Sequence, residues 1–358
     1  MNIDPFVFAA FGPPPRDIDL SANSEAQNAG VVLTLLCISA LFLAGRIAMR
    51  TMQVYGLSVD DYAILVSFLF VTLTAAMVVV GGYSGVGKHV WALTINQLEQ
   101  VIKLTYVYSF MFVGAVFTTK VSILLFYRRI FSRGGLHFQV AFWFGAILVG
   151  AYPIIFVFTM GFCCTPVSHY WTQVKGTEGK CIDVGHFFVI LAIINLITNI
   201  IVLVIPVPEV LKLQMSRGKK AAVFGILALG GLVCIASAVR IHYLNVFANA
   251  VDTTWHMGPV AIWSSVEPSM GIVSACLPSF KSLLRHLRGK SAARASTQAT
   301  NSGGGKGNNK PRFDDEIALR SQIVGGGGSL RSGQSQGSEM DRHIFVKTSV
   351  EQTFHELP

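Results

Sequence analysis

Seven apolar segments, each long enough to cross a bilayer, constrain this chain more than any other feature. They run from Gly30 to Ala48, Asp61 to Val80, Ile102 to Phe126, Phe138 to Met160, His186 to Val204, Ala221 to Val246 and Gly258 to Phe280. A helix rising 1.5 Å per residue needs about 20 predominantly apolar residues to span hydrocarbon. No water is available there, so each segment must satisfy its own backbone hydrogen bonds, which a helix does. The expected fold is an all-α membrane protein, a seven-transmembrane-helix bundle. Charged residues are 13% of the chain, against about 25% in soluble globular proteins, so a large soluble core is excluded.

The connections set the expected orientation. Arg46 and Arg50 follow the first span, Arg128, Arg129 and Arg133 the third, Lys212 to Lys220 the fifth, and Lys281 to Lys290 the seventh. The alternate loops carry only Lys88, Lys175 and Lys180. An excess of Lys and Arg marks cytoplasmic loops, which puts the amino terminus outside and the carboxyl terminus inside. The net charge of +9 follows from these loops, and no nucleic-acid partner is expected. Residues 1–29 read as a short extracellular segment without a cleavable signal peptide, 30–280 as the membrane domain and 281–358 as a cytoplasmic tail. In that tail "PSFKSLLRHLRGK" suits a short basic amphipathic helix on the membrane surface. The Gly- and Ser-rich remainder suits disorder.

Cys163, Cys164 and Cys181 cluster in the loop after the fourth span, on the side expected to be oxidising. Cys164 with Cys181 is the expected disulfide, with three free thiols as the alternative. The loop "GGYSGVGKHVW", Gly81 to Trp91, imitates both a phosphate-binding loop and the G-x-S-G of a serine protease. A phosphate loop needs a preceding strand and a Ser or Thr after its Lys, whereas here a membrane span precedes and His89 follows. Ser84 has no basic partner singled out by spacing. An ordinary turn between spans is expected, and no enzyme.

Ionisable groups within the spans cost about 2.5–3.5 kcal/mol each on insertion scales unless paired or wetted. Asp60, Asp61, Lys120, Arg240 and Glu267 are such groups. The expected pairs are Lys120 with Asp60 or Asp61, and Arg240 with Glu267. They act either as a two-state switch or as plain helix packing. Asn195 and Asn199, four apart, share one helix face and suit hydrogen bonds across helices.

Several stretches together resemble the fungal seven-helix rhodopsin-like integral membrane family, which includes Pth-type receptor-like proteins. They are Asp60 to Tyr62, "GVGKHVW" with Gly85, Gly87, His89 and Trp91, "KVSILLFYRRIF", "CTPVSHYW" with Cys181, the run around Asn195 and Asn199, Arg240, and "WSSVEPSMGIVSACLP". The family often has Asp where Asn199 stands, and the short amino-terminal segment lacks the cysteines of a CFEM domain. The resemblance implies a receptor-like sensor of an extracellular ligand at the plasma membrane, with heterotrimeric G protein coupling through the basic loops. The alternatives are a small-molecule or ion transporter, or a membrane scaffold. No retinal is expected, because no Lys lies between Trp255 and Pro278 to form a Schiff base.

Overall fold

A computed structural model describes residues 4–16, 18–51, 58–131, 135–212 and 217–299. Among them, seven helices are long and apolar enough to cross a membrane. These are α2 (Glu25–Thr51), α3 (Val59–Ser84), α4 (Ile95–Ile130), α5 (Leu136–Gly161), α7 (Val184–Val204), α9 (Arg217–Asn249) and α10 (Thr253–Ala299). The short helices α1 (Pro5–Phe11), α6 (His169–Thr172) and α8 (Val207–Lys212) lie between or before them.

The helices start where the chemistry favours it. Ser58 and Asp61 form a reciprocal capping box on α3, as do Thr94 and Gln97 on α4, so orphan amide groups of the first turn find partners. Asp183 caps α7 by accepting from the His186 amide at 3.1 Å. α4 begins two turns before the apolar run read from the sequence, and α2 more than one turn before its own. Capping and packing extend a helix past its apolar stretch.

The seven long helices close into a ring. α2, α3, α4, α5, α7, α9 and α10 each pack on the next, α10 returns to α2, and α4 also meets α10 across the middle. The ring turns polarity inside out. Leu41, Leu69, Ile147 and Phe158 face outward, while Asp60, Asp61, Lys120, Asn195, Arg240 and Glu267 are buried. Polar groups facing the bundle interior are expected when lipid is the solvent. Helix α10 runs to Ala299, so the basic stretch after Pro278 is helical and continuous with the seventh span, which itself covers Thr253–Leu277. The expected disorder beyond residue 299 lies outside the described residues.

At one end of the bundle, Cys164 and Cys181 form a disulfide between two short antiparallel strands, β1 (Cys164–Thr165) and β2 (Lys180–Cys181). The neighbouring Cys163 is buried, and burial pushes its thiol pKa up. The same end carries the amino-terminal segment, which folds over it. Val7 of α1 packs on Val90, Trp91 and Leu98, and Trp91 donates its indole N–H to the Gly12 carbonyl at 2.9 Å.

Candidate functional site

The loop 85–94 closes the disulfide end. Gly85 and Gly87 hold φ of 118° and 91°, left-handed values that suit glycine. The Gly87 N–H donates to the Thr254 carbonyl at 3.1 Å, and Thr254 Oγ1 to the Lys88 carbonyl at 2.8 Å. His89 Nδ1 lies 2.5 Å from Asp252 Oδ2, and its ring stacks on Trp255 at 4.3 Å. Asp252 Oδ1 also accepts from the Val90 amide at 2.9 Å. Gly85, Gly87, His89 and Trp91 thus form a clasp joining α1, α3 and α10. Ser84 donates back to the Val80 carbonyl at 3.1 Å within its own helix.

Beneath this clasp is a chamber between α3, α4, α5, α7, α9 and α10, with about 920 Å³ of space including its mouth. Val86 and Met257 lie at its loop end, and Phe112, Tyr152, Phe156 and Phe188 form much of its wall. From Leu104 to Val113 on α4 it runs about 14 Å along the helix axis. Among the described residues, Arg240 is the one charged residue in the lining.

Arg240 and Glu267 lie close together at the floor, with Arg240 Nη1 3.8 Å from Glu267 Oε2. The guanidinium lies over the Phe112 ring, 4.5 Å from its centroid, a cation–π contact. Glu267 Oε1 accepts from Asn195 at 2.5 Å and from Asn199 at 2.7 Å, and Asn199 also donates to Ser237 at 2.8 Å. The two asparagines share a face, and one carboxylate oxygen occupies both. Satisfaction is incomplete, however. Arg240 Nε and Glu267 Oε2 are buried without a hydrogen bond among the described residues.

Lys120 sits one layer further from the loops. Its Nζ donates to Asn195 Oδ1 at 2.7 Å and to Thr198 Oγ1 at 2.5 Å, and lies 5.8 Å from the Tyr152 ring centroid. Tyr152 therefore separates the chamber from the lysine. The expected pairing of Lys120 with Asp60 or Asp61 does not occur, and helix geometry explains it. Ser122 on α4 donates to the Asp60 carbonyl at 3.0 Å, so that face of α4 meets α3 at the right level. Lys120 is two residues earlier, about 200° around the helix, and points to α7 instead. It is buried there and does not snorkel to the surface.

The partner of Asp60 and Asp61 is one that sequence reasoning missed. Arg46, only 1% exposed, donates through Nε to Asp61 Oδ1 at 2.8 Å and through Nη2 to Asp60 Oδ2 at 2.5 Å. Its Nη1 donates to the Ala275 carbonyl of α10. Arg50 approaches the same carboxylates at 3.5 and 3.6 Å, and Arg129 of α4 reaches Asp60 at 3.4 Å. Arg46 reads as a loop charge because it stands at the end of an apolar run. Its position four residues before Arg50, on one helix face, was the available signal.

Comparison with known proteins places this architecture. No solved structure matches the chain. A family model described as the fungal rhodopsin domain matches residues 45–286. The chain is 29% identical over 221 residues to a protein of Emericella nidulans named "SAT4 family membrane protein", covering 60% of this chain and 54% of that one. It is 25% identical over 275 residues to "Polyenoic acids biosynthesis gene cluster protein Ba17b" of Metarhizium anisopliae, covering 71% of each. It is 22% identical over 318 residues to "Receptor GIN3" of Arthrobotrys oligospora, covering 86% of this chain and 76% of that one. Further relatives are likewise named for biosynthesis clusters. The chain spans about half the length of the first of these relatives. Seven apolar helices, a disulfide-tied end and a match over most of the membrane region lead to one conclusion: the chain belongs to the fungal rhodopsin domain family.

Proposed function

We propose that this protein carries an apolar small molecule across or within the membrane, holding it in the aromatic chamber above Arg240. The chamber itself is the observation that supports the reading: an apolar, aromatic-walled space between six helices, ending on a partly satisfied charge pair. The biosynthesis-cluster names of several relatives lend it weight, since small molecules are what such clusters make. The charge bias of the loops, together with the disulfide, supports an orientation with the chamber mouth and amino terminus outside and α10 running toward the cytoplasm. The plasma membrane is the proposed location.

The test is flux of 4-phenylbutanoate and 4-phenylbutanamide from proteoliposomes. Efflux above the protein-free rate, lost on filling the chamber with Ala261→Phe, is the expected result. Rates equal to those of empty vesicles for both compounds would remove the carrier reading. A second reading is a receptor-like sensor coupled to a heterotrimeric G protein. It draws on the long match to a relative named a receptor, and would be favoured by ligand-dependent nucleotide exchange on a G protein in the same bilayer.

A further inference from the structure

We infer that the chamber takes a ligand with one carboxylate on an apolar body, the carboxylate seated on Arg240. The inference rests on the chamber reading above and names the chemistry of its occupant. Arg240 is buried, and among the described residues no other charged side chain lines the chamber. A buried guanidinium beside apolar space favours a bound anion.

The donor is the second observation. Arg240 Nε is buried, 3% exposed as a residue, and makes no hydrogen bond among the described residues. A buried donor left without an acceptor is costly, so a guanidinium nitrogen with none in the chamber wall marks a place for an acceptor oxygen. Glu267 does not fill that role. Its Oε1 is held by two asparagines, and its Oε2 stops 3.8 Å from the guanidinium. The rest of the wall is apolar and aromatic, so the remainder of the ligand must be apolar too.

Such a carboxylate could arrive from water or dissolve first in the bilayer. Equilibrium binding to the full-length protein in phosphatidylcholine nanodiscs separates the two sources. Soluble 4-phenylbutanoate and bilayer-partitioned dodecanoate are each compared with the corresponding primary amide, which keeps the shape and loses the charge. Loss of a charge-assisted hydrogen bond corresponds to about tenfold or more in affinity, so at least one acid should bind about tenfold tighter than its amide. The source is given by which acid does so. Arg240→Gln should abolish the preference and Arg240→Lys should keep part of it. Glu267→Gln, which removes the competing carboxylate, should tighten acid binding. Equal binding of acid and amide in the native protein overturns the inference, whether or not the Arg240 variants fold. If the amide still binds and Ala261→Phe abolishes that binding, the carrier reading survives without the anion.

Discussion

The bundle holds two buried ionic clusters, and they differ in how completely they are satisfied. Around Arg46, three guanidinium nitrogens each have an acceptor: Asp60, Asp61 and the Ala275 carbonyl. The carboxylates are further held by Ser58, Arg50 and Arg129, although Arg50 Nε, 3.5 Å from Asp61, makes no hydrogen bond among the described residues. Around Arg240, the guanidinium Nε and Glu267 Oε2 make no hydrogen bond among the described residues, the ion pair stands at 3.8 Å, and open space lies beside Arg240. Removing Arg46 leaves bare buried carboxylates, which is a matter of stability. An unsaturated cluster on a cavity wall is costly to fold around unless a ligand completes it. The first cluster ties α2, α3, α4 and α10 at one end, and the second waits at the floor of a chamber.

That contrast predicts a ranking. Arg46→Met should be the most damaging single change, costing about 3–5 kcal/mol because Asp60 and Asp61 lose their buried partner. Thermal unfolding in nanodiscs would show it, and Asp61→Asn added to Arg46→Met should restore part of the loss. If the single variant unfolds like the native protein, the two clusters do not differ as argued. Next, Cys164→Ser with Cys181→Ser should cost about 3 kcal/mol in the chain-entropy model, and reductant should act similarly on the native protein. His89→Ala should cost less, about 1–3 kcal/mol for the buried acceptor left on Asp252. Its diagnostic effect is local: faster hydrogen exchange at residues 85–94 while the Arg46 end is unchanged.

The smallest effect concerns the exposed cap of α7. The Asp183 carboxyl is held below its ordinary range, first by the His186 amide and then by the His186 ring. A carboxyl with a lowered folded pKa contributes stability above its unfolded pKa and loses it as pH falls through the folded value. Acidification through the carboxylate range should therefore loosen the first turn of α7, read by exchange at its amides. Asp183→Ala should remove that pH dependence and leave both ionic clusters intact.

Much of this was legible in the residues. Length and hydropathy of seven runs sufficed for the spans, because a helix in hydrocarbon answers only to its own backbone and its own side chains. The cysteine cluster of one outer loop pointed to the Cys164–Cys181 disulfide, and the asparagine pair showed one face by spacing alone. Pairing was harder. Which way Lys120 points depends on the rotation of α4 against α3 and α7, and a residue's depth does not contain that rotation. Arg46 looked like a loop charge because one-dimensional reading cannot see α10 bringing the Ala275 carbonyl to it.

The length and apolarity of seven runs, then, determined by themselves that this chain is a seven-helix membrane protein, since the bilayer imposes that answer on each segment separately. Only the tertiary structure decided which buried charge meets which, and that a chamber opens above Arg240. Those features arise from helix rotation and side-chain volume summed over six helices at once, and no single segment carries them.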